Sequence, residues 1–367
     1  MRCYTAQEHQ CSTVCSGRPF YNEFRRIRME HLPVNYYFIV NPNAGTRREQ
    51  KKLLNSISSG CKARGAEYTL YETSCAGDGG DFMLRTASEQ LSACSGDTEK
   101  MPLLRFYFAG GDGTVLESAN AFMKLPEELR HGKVAVGVLP VGTGNDFLRN
   151  FGTEKDFLDV ERQLAGSVQF VDLMRYVKTP ADNDPDAAGV VYDFGANMFN
   201  IGFDCQTVVK VNSLRGKPFI NKTFAYPIGV ALTLIKLPHT RLKVTFDDGE
   251  VREGKFLLAL CANGAYCGGG FYAASESSIN DGLLDVILVN PLGRLKFISM
   301  VGKYKKGKLL GTELADRILY FRKCSGVRFE AAGGTEICID GEIERFGAAD
   351  ISAVPGVFPF IVPEANS

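Results

Sequence analysis

The run of residues 106–117 constrains the fold more than any other stretch of this sequence. Apolar residues from Leu103 to Ala109 are typical of a strand buried on both faces of a sheet, and three glycines follow at 110, 111 and 113. From Thr114 onward the apolar residues return at helical spacing. A strand, a glycine turn and a helix start together form a phosphate-binding geometry, because glycine lets the backbone approach the anion and the first helical N–H groups point at it.

Asp112 lies in the middle of this turn. A carboxylate beside a polyphosphate is repelled unless a cation lies between them, so the turn predicts Mg²⁺. Thr114 either caps the helix or donates to a phosphate oxygen. The alternative is an ordinary glycine-rich turn with an Asp cap. A second turn of the same kind, residues 142–146, argues against that alternative.

Strands alternate with helices up to about residue 152, which predicts a parallel, doubly wound sheet. Four predicted strand ends carry polar or glycine-rich segments at residues 41–45, 73, 111–117 and 142–146. Ligands bind at the carboxyl ends of the strands in such sheets, so we expect all four segments at one edge. The turns contain neither a P-loop nor a complete dinucleotide fingerprint. Their carboxylates favour metal-assisted phosphoryl transfer over hydride transfer.

Beyond Phe151 the pattern changes. It predicts one helix over 154–165, a loop rich in Asp and Pro over 179–189, and mostly strands from residue 190, which indicates a second, largely antiparallel domain. The predicted fold class is therefore α/β, with an N-terminal Rossmann-like doubly wound domain, 34–152, and a C-terminal, mostly antiparallel β-sandwich domain, 153–347. The tail, 348–367, either packs back on the first domain or pairs with the second.

Composition excludes some functions and locations. The 367 residues include 42 basic and 42 acidic side chains, so net charge does not support a nucleic-acid surface. No run approaches the roughly 20 apolar residues of a membrane span, so any membrane contact is expected to be peripheral. Eleven scattered cysteines indicate reduced thiols and a cytoplasmic location. Residues 1–33 are polar and aperiodic; we predict that they are disordered, or that the natural start is Met29.

Taken together, the motifs resemble the diacylglycerol kinase catalytic family, specifically its soluble bacterial-type lipid kinases. That family is similar to sphingosine and ceramide kinases and more distantly to NAD kinases. The resemblance runs from about residue 34 to the C terminus, and the segments that carry it are 41–45, 110–114 with Glu117, 140–147, 263–264, 268–271, 281–286 and 340–342.

The resemblance implies that ATP binds between the two domains and that its γ-phosphate passes to a lipid hydroxyl, with diacylglycerol as the leading acceptor. The implied nucleotide-binding residues are Asn41, Pro42, Asn43, Ala44, Gly45, Thr73, Gly111, Asp112, Gly113, Thr114, Glu117, Thr143 and Asn145. The implied Mg²⁺ set is Asp112, Asp146 and Asp172, and a second, structural cation is assigned to Asp281 with the carbonyls of Ser278 and Leu283.

The resemblance also implies that Asp340 and Glu342 supply the general base. The chemistry agrees, because an attacking alcohol must lose its proton and a carboxylate within hydrogen-bond reach can accept it. Asp340 follows an alternating strand and precedes Gly341, so an ordinary hairpin turn is the alternative interpretation.

Several alternatives stay open. The acceptor can instead be a sphingoid base, ceramide or another lipid. Two further hypotheses are that the protein is an NAD kinase or that it binds nucleotide and lipid without catalysis. Basic residues beside apolar ones over 294–308 indicate either a helix resting on anionic lipid or a solvated helix face. The sequence does not decide between a monomer and a homodimer.

Overall fold

The computed structural model of the chain describes residues 32–42, 44, 46–142, 144–179, 193–214 and 222–365. Several sequence predictions fall outside the described residues. They are the start of the chain up to residue 31, the loop over 180–189, and the predicted nucleotide-binding residues Asn43, Gly45 and Thr143.

The first half of the chain forms the parallel sheet that the alternation of strands and helices predicts. Its strands are β1 (Val34–Val40), β2 (Tyr68–Glu72), β3 (Leu103–Gly110) and β4 (Val134–Pro140). They lie in the order β2-β1-β3-β4, and each neighbouring pair is parallel. Tyr107 and Phe108, adjacent on β3, are both buried although they point to opposite faces. The sheet is therefore covered on both sides, as its continuous apolar strands indicate.

Helices cover the two faces of this sheet. They are α1 (Arg47–Arg64), α2 (Asp78–Ala93), α3 (Asp112–Met123), α4 (Glu127–Arg130), α5 (Glu154–Leu158) and α6 (Val160–Leu164), with a 3₁₀ turn at Leu148–Asn150. The helices α2 and α3 share an apolar core with one face of the sheet, and α1 and α6 share another with the opposite face. The prediction of one helix over 154–165 is wrong, because Asp159 is extended and its carboxylate accepts from the Arg162 N–H at 3.2 Å, which starts a new helix.

Strands dominate from residue 167. They are β5 (Ser167–Thr179), β6 (Phe194–Gly195), β7 (Met198–Gly202), β8 (Thr240–Phe246), β9 (Val251–Phe256), β10 (Leu258–Ala262), β11 (Leu284–Val289), β12 (Leu319–Cys324), β13 (Gly326–Ile339) and β14 (Glu342–Val362). The helices among them are α7 (Phe203–Leu214), α8 (Lys222–Lys236), α9 (Arg294–Lys305) and α10 (Glu313–Ile318). The sequence does not predict α7, because the β-branched run 207–209 favours a strand locally.

The last strand, β14, connects the two halves of the molecule. It pairs antiparallel with β13 and β5, and Phe360 near its end is the parallel partner of Val136 on β4. The Phe360 ring also lies 5.1 Å from the ring of Phe147, just after the second glycine turn. The strands of the described residues consequently form one continuous sheet of 14 strands.

The second half buries its own apolar core between antiparallel strands, with Phe199, Phe329 and Phe346 at 1% exposure or less. The predicted fold class, an α/β domain followed by a mostly antiparallel β-sandwich, is confirmed. Among the helices described, none combines the length and the apolar character needed to cross a bilayer.

Candidate active site

The parallel register brings the predicted strand ends to one edge of the sheet. Val40, the last residue of β1, pairs with Glu72 on β2 and with Ala109 on β3, and Gly110 pairs with Pro140 on β4. The segments that follow these strands therefore leave the sheet side by side, as the sequence predicts.

The first of these segments is a tight turn. The Ala44 N–H donates to the Asn41 carbonyl at 3.0 Å, and the Gln50 amide donates to the same carbonyl at 2.8 Å and to that of Ala44. Thr46 then caps α1 in a reciprocal capping box with Glu49. Asn41 and Pro42 are exposed at this edge, and Thr73 ends β2 beside them by donating its N–H to the Val40 carbonyl at 2.9 Å.

The two glycine turns pack against each other through their backbones. A Cβ added to Gly142 would lie 2.6 Å from the Gly111 Cα, and one added to Gly110 would lie 1.9 Å from the Thr114 hydroxyl oxygen. Only glycine permits contacts this close. Asn145 adopts a positive φ of 53° and donates its amide to the Gly142 carbonyl at 3.1 Å. Its buried Oδ1 has no hydrogen-bond partner among the described residues.

Asp112 begins α3 and faces the second glycine turn. Its Oδ1 accepts from the Phe147 N–H at 3.0 Å, and its Oδ2 lies 2.6 Å from the position that a Cβ on Gly144 would take. Burial and then the charge of Asp146 raise the pKa of Asp112 to about 7. A cation near this carboxylate would therefore stabilise its charged form.

Asp146 fastens the second glycine turn to the C-terminal half. Its two oxygens accept from the N–H groups of Gly269 and Gly270 at 2.8 and 2.7 Å, and the Arg149 Nε lies 3.5 Å away. Burial raises the pKa of Asp146, and the two N–H groups oppose that rise. Residues 268–270 are all at positive φ, between 59° and 100°, which explains the run of three glycines.

Asp340 lies in the hairpin turn between β13 and β14. Its φ of 49° and the φ of 103° at Gly341 agree with the hairpin turn that Asp-Gly predicts. The carboxylate accepts from the N–H groups of Ala196, Asn197 and Met198 at 2.7, 3.1 and 2.6 Å. Burial raises the pKa of Asp340 to about 6, the three N–H groups oppose the rise, and the charge of Asp146 adds to it.

Glu342 brings the same hairpin to the first glycine turn. It is exposed, and its Oε1 lies 3.3 Å from the position that a Cβ on Gly113 would take. The acidic turn of the C-terminal half therefore faces the first turn of α3. Glu117, farther along that helix, points toward the start of α2, where its carboxylate accepts from the Gly80 N–H at 3.0 Å.

Asp172 shares no hydrogen-bond partner with Asp112 or Asp146 among the described residues, although the resemblance groups the three acids around Mg²⁺. Its carboxylate accepts from the N–H groups of Gly282 and Gly356, both at 2.7 Å. The two acids whose charges raise the pKa of Asp112 are Asp146 and Asp340, and Asp172 is not one of them. Through these two hydrogen bonds, Asp172 joins β5 to the loops around residues 282 and 356. Within the described residues, no three acidic, His or Cys side chains gather closely enough to enclose a metal ion.

A lysine of β12 lies beside the segment that the resemblance assigns to a structural cation. The Asp281 Oδ1 accepts from the Leu283 N–H at 3.0 Å, and its Oδ2 lies 3.1 Å from the Lys323 ammonium. Lys323 also contacts Asp285 at 2.7 Å. The Ser278 carbonyl accepts from the Asp281 N–H at 3.5 Å. The positive charge beside Asp281 thus comes from the protein itself.

Four polar residues near the predicted site have no function assigned to them by the sequence motifs. Asn150 accepts from the Ala265 N–H at 2.9 Å, and Asn263 donates to the carbonyls of Asp172 and Ala196, both at 2.9 Å. Asn197 donates to the Tyr266 carbonyl, and Arg149 donates to the Gly144 carbonyl. In the sequence, the one signal for this cluster is the glycine at 264. The structure explains that glycine, because a Cβ there would lie 2.0 Å from the Asn197 Oδ1.

Comparisons with known proteins agree with this architecture. A model of the diacylglycerol kinase catalytic domain matches residues 35–176, and a model of the YegS C-terminal NAD kinase beta sandwich-like domain matches residues 197–362. A diacylglycerol kinase of Bacillus subtilis (strain 168) is 24% identical over 306 residues, which cover 83% of this chain and 88% of that protein. A "Probable lipid kinase YegS-like" protein of Chromohalobacter salexigens is 27% identical over 272 residues, covering 72% and 78%.

Among solved structures, a diacylglycerol kinase from Bacillus anthracis str. Sterne superposes with a TM-score of 0.61 at 20% identity, covering 91% of this chain and 98% of that one. At that identity the likeness concerns the fold. The two domain matches and the named relatives define the class of protein, which is a lipid kinase. The chain belongs to the diacylglycerol kinase catalytic-domain family.

Proposed function

We propose that this lipid kinase transfers the γ-phosphoryl group of ATP to the hydroxyl of a diacylglycerol-like lipid, giving a phosphatidic acid. The observation that carries the proposal is the position of Asp340, a buried carboxylate held by three N–H groups and within the electrostatic influence of Asp146. Several relatives are named diacylglycerol kinases, which supports diacylglycerol as the acceptor.

In this proposal the phosphates of ATP lie against the two glycine turns. The first N–H groups of α3 have no intrahelical partners, and Gly111 and Gly113 leave room for the phosphates to approach them. Arg149, part-exposed beside Asp146 and the Gly144 carbonyl, adds positive charge at the same edge. Such charge stabilises the transferring phosphoryl group.

The residues at this edge fit Mg²⁺. Asp112 has one oxygen outside its hydrogen bond to Phe147, and the buried Oδ1 of Asn145 is without a partner among the residues described. Oxygen donors of this kind, with water completing the shell, suit an ion that keeps several of its waters. When bound, Mg²⁺ would neutralise charge on the phosphate oxygens.

Asp340 is the proposed general base. A pKa of about 6 leaves it mostly ionised at neutral pH and still basic enough to accept the proton of an attacking hydroxyl. Because three N–H groups fix its carboxylate, the group is oriented before the acceptor arrives. Glu342, on the same hairpin above Gly113, is the second acid of the proposed pair.

A surface built by α8 and α9 supports contact with a lipid bilayer. Its apolar side chains are exposed by 36% to 85% and form what we call the apolar patch: Ile228, Leu232, Ile235, Leu295 and Ile298. The Arg294 guanidinium donates to the Ile235 carbonyl at 2.7 Å and so joins the two helices. Exposed lysines flank the patch at positions 236, 296, 303 and 306. Apolar side chains with a basic rim fit an anionic lipid surface.

The reaction is tested with purified protein, Mg-ATP and a panel of acceptors in mixed micelles. The panel contains diacylglycerol, a sphingoid base, ceramide and undecaprenol, together with free NAD, and mass spectrometry identifies the products. We expect phosphatidic acid from diacylglycerol, and none from the Asp340→Asn variant. Phosphorylation of another acceptor alone would refute the proposed acceptor, and a lack of any product would refute catalysis.

The surface is tested by reversing charge on α9. Three substitutions, Lys296→Glu, Lys303→Glu and Lys306→Glu, should weaken binding to anionic vesicles by roughly 100-fold, at about 1 kcal/mol per basic residue. Activity on a short-chain, water-soluble acceptor should persist. A matched control reverses three exposed lysines elsewhere, at positions 52, 62 and 155. Equal losses in both variants would remove α9 from the bilayer contact.

A further inference from the structure

The C-terminal end of α9 packs directly on the glycine loop that holds Asp146. The Tyr272 N–H donates to the Lys305 carbonyl at 3.1 Å, and the Lys305 ammonium lies 5.2 Å from the centre of the Phe271 ring. The Tyr304 ring lies 6.1 Å from the same ring. The turn after α9 also packs closely on this loop, because a Cβ on Gly307 would lie 2.2 Å from the Tyr272 ring.

The other side of this loop contacts the proposed nucleotide edge. Gly269 and Gly270 donate both their N–H groups to the Asp146 carboxylate, and a Cβ on Gly270 would lie 3.5 Å from the Arg149 guanidinium carbon. The loop therefore lies between α9 and the second glycine turn, and it supplies the N–H groups that hold Asp146.

A second contact links α9 to α7, the helix that follows β7. The Tyr304 hydroxyl donates to the Asp204 Oδ2 at 3.1 Å. Asp204 is in the first turn of α7, which directly follows β7, and the N–H of Met198 at the start of β7 holds Asp340. Burial raises the pKa of Asp204 to about 6, and the Tyr304 hydroxyl opposes that rise. The hydroxyl thus stabilises a buried charge.

A small void lies in the packing beneath the helix end. It is an apolar cavity of about 20 Å³, lined by Tyr272, Ile287, Tyr304, Leu309 and Leu319. Side chains that border a void lack packing contacts on that side. At its other end, α9 exposes Leu295 by 85%. One helix therefore carries part of the apolar patch at its start, and at its end it contacts the glycine loop and α7.

We propose that α9 couples docking on an anionic lipid surface to the arrangement of the catalytic carboxylates, with the Tyr304 hydroxyl and the Phe271 ring as the positioning contacts. This rests on the proposed function for its activity readout. Docking holds α9 against residues 267–272, and the loop in turn holds Asp146. The partner is an anionic bilayer surface, because the exposed side chains of α9 are apolar and basic.

The test separates docking from delivery of the acceptor. A short-chain, water-soluble diacylglycerol serves as substrate, and vesicles of phosphatidylglycerol that contain no acceptor are added. We expect the wild-type rate to rise about fivefold or more, within the usual range for coupled sites. Neutral phosphatidylcholine vesicles, which absorb the same substrate, should not raise it. A wild type that binds the anionic vesicles without activation, or that does not bind them, overturns the proposal.

The positioning contacts are tested by two variants. Tyr304→Phe and Phe271→Leu should bind anionic vesicles like the wild type but lose most of the activation. The matched control is Tyr320→Phe, which removes a hydroxyl that donates to Glu250 at 2.8 Å on a different part of the sheet, and it should behave like the wild type. Full activation of both α9-contact variants would overturn the coupling.

Hydrogen exchange gives a readout that does not depend on catalysis. Amides of residues 267–272 should exchange more slowly when acceptor-free anionic vesicles are present, and less so in Tyr304→Phe. Slower exchange in a protein that phosphorylates no lipid would refute the proposed function and leave the coupling in place. Unchanged exchange in an active kinase that binds the vesicles would refute the coupling alone.

Discussion

The proposed nucleotide edge, formed by the turns that follow β1 to β4, and the Asp340 turn are neighbouring parts of one candidate site. Different kinds of hydrogen bond hold these two parts in place. At the nucleotide edge, each turn directly follows its own strand, and most hydrogen bonds that shape it join residues close in sequence, such as Asn145 and Gly142. Asp340 instead depends on N–H groups that lie 142 to 144 residues earlier in the chain. The comparison teaches that local turn chemistry shapes the proposed phosphate site, whereas tertiary structure positions the proposed base.

The largest expected effect comes from removing the base alone. Asp340→Asn should lower the phosphorylation rate by roughly 10²–10⁴, because an amide cannot accept the proton of the acceptor hydroxyl. ATP affinity, measured by calorimetry, should stay near the wild-type value, since the glycine turns are unchanged. A variant that retains more than half of its activity would show that Asp340 is not the base.

The pH dependence of the rate tests the same group without a substitution. Since the pKa of Asp340 is raised from 3.8 to about 6, kcat/KM should fall as the pH drops below 6. The effect of Asp340 on the free energy of unfolding runs the other way with pH. Because its pKa is higher in the folded state, the group favours folding most below about pH 4 and loses that contribution as the pH rises through 6. A rate that stays flat between pH 5 and 8 would contradict the assignment.

A smaller effect is expected from breaking the nucleotide edge. In Gly111→Ala the new Cβ lies 3.2 Å from the Gly142 Cα, so the two turns must separate and the phosphate approach is blocked. ATP affinity should fall by one to two orders of magnitude, or roughly 1.4–2.8 kcal/mol. Gly293→Ala is the matched control, because its Cβ would meet nothing within 4 Å. Unchanged affinity in a folded Gly111→Ala protein would remove this turn from the site.

The smallest effect on activity is expected at Asp172. Asp172→Asn weakens the contacts to Gly282 and Gly356, so it should lower the free energy of unfolding by about 1–2 kcal/mol. The Mg²⁺ dependence of the rate should not change. Asp146→Asn weakens an equivalent pair of N–H contacts but should also slow phosphoryl transfer. A shifted Mg²⁺ requirement in Asp172→Asn would return this residue to the metal set.

Several parts of the fold and site are predictable from the sequence for a physical reason. The carboxyl ends of β1 to β4 meet because parallel pairing leaves them no other arrangement, and the glycines of both turns are required by a backbone contact between them. Asp340 and Gly341 form the hairpin turn that this dipeptide favours. Each of these features depends on residues adjacent in sequence or on a regular register.

Only the tertiary structure decides how the buried acids are divided. Asp112 and Asp146 follow strands, and Asp172 lies within β5. In the fold, Asp146 is held by the loop at Gly269 and Asp172 by the loops at 282 and 356. Those N–H groups come from segments more than 100 residues away, and no local pattern specifies which carboxylate they reach. The strand–glycine–helix sequence thus determines the edge at which we propose that phosphate binds, and long-range hydrogen bonds determine which loops hold Asp146 and Asp172.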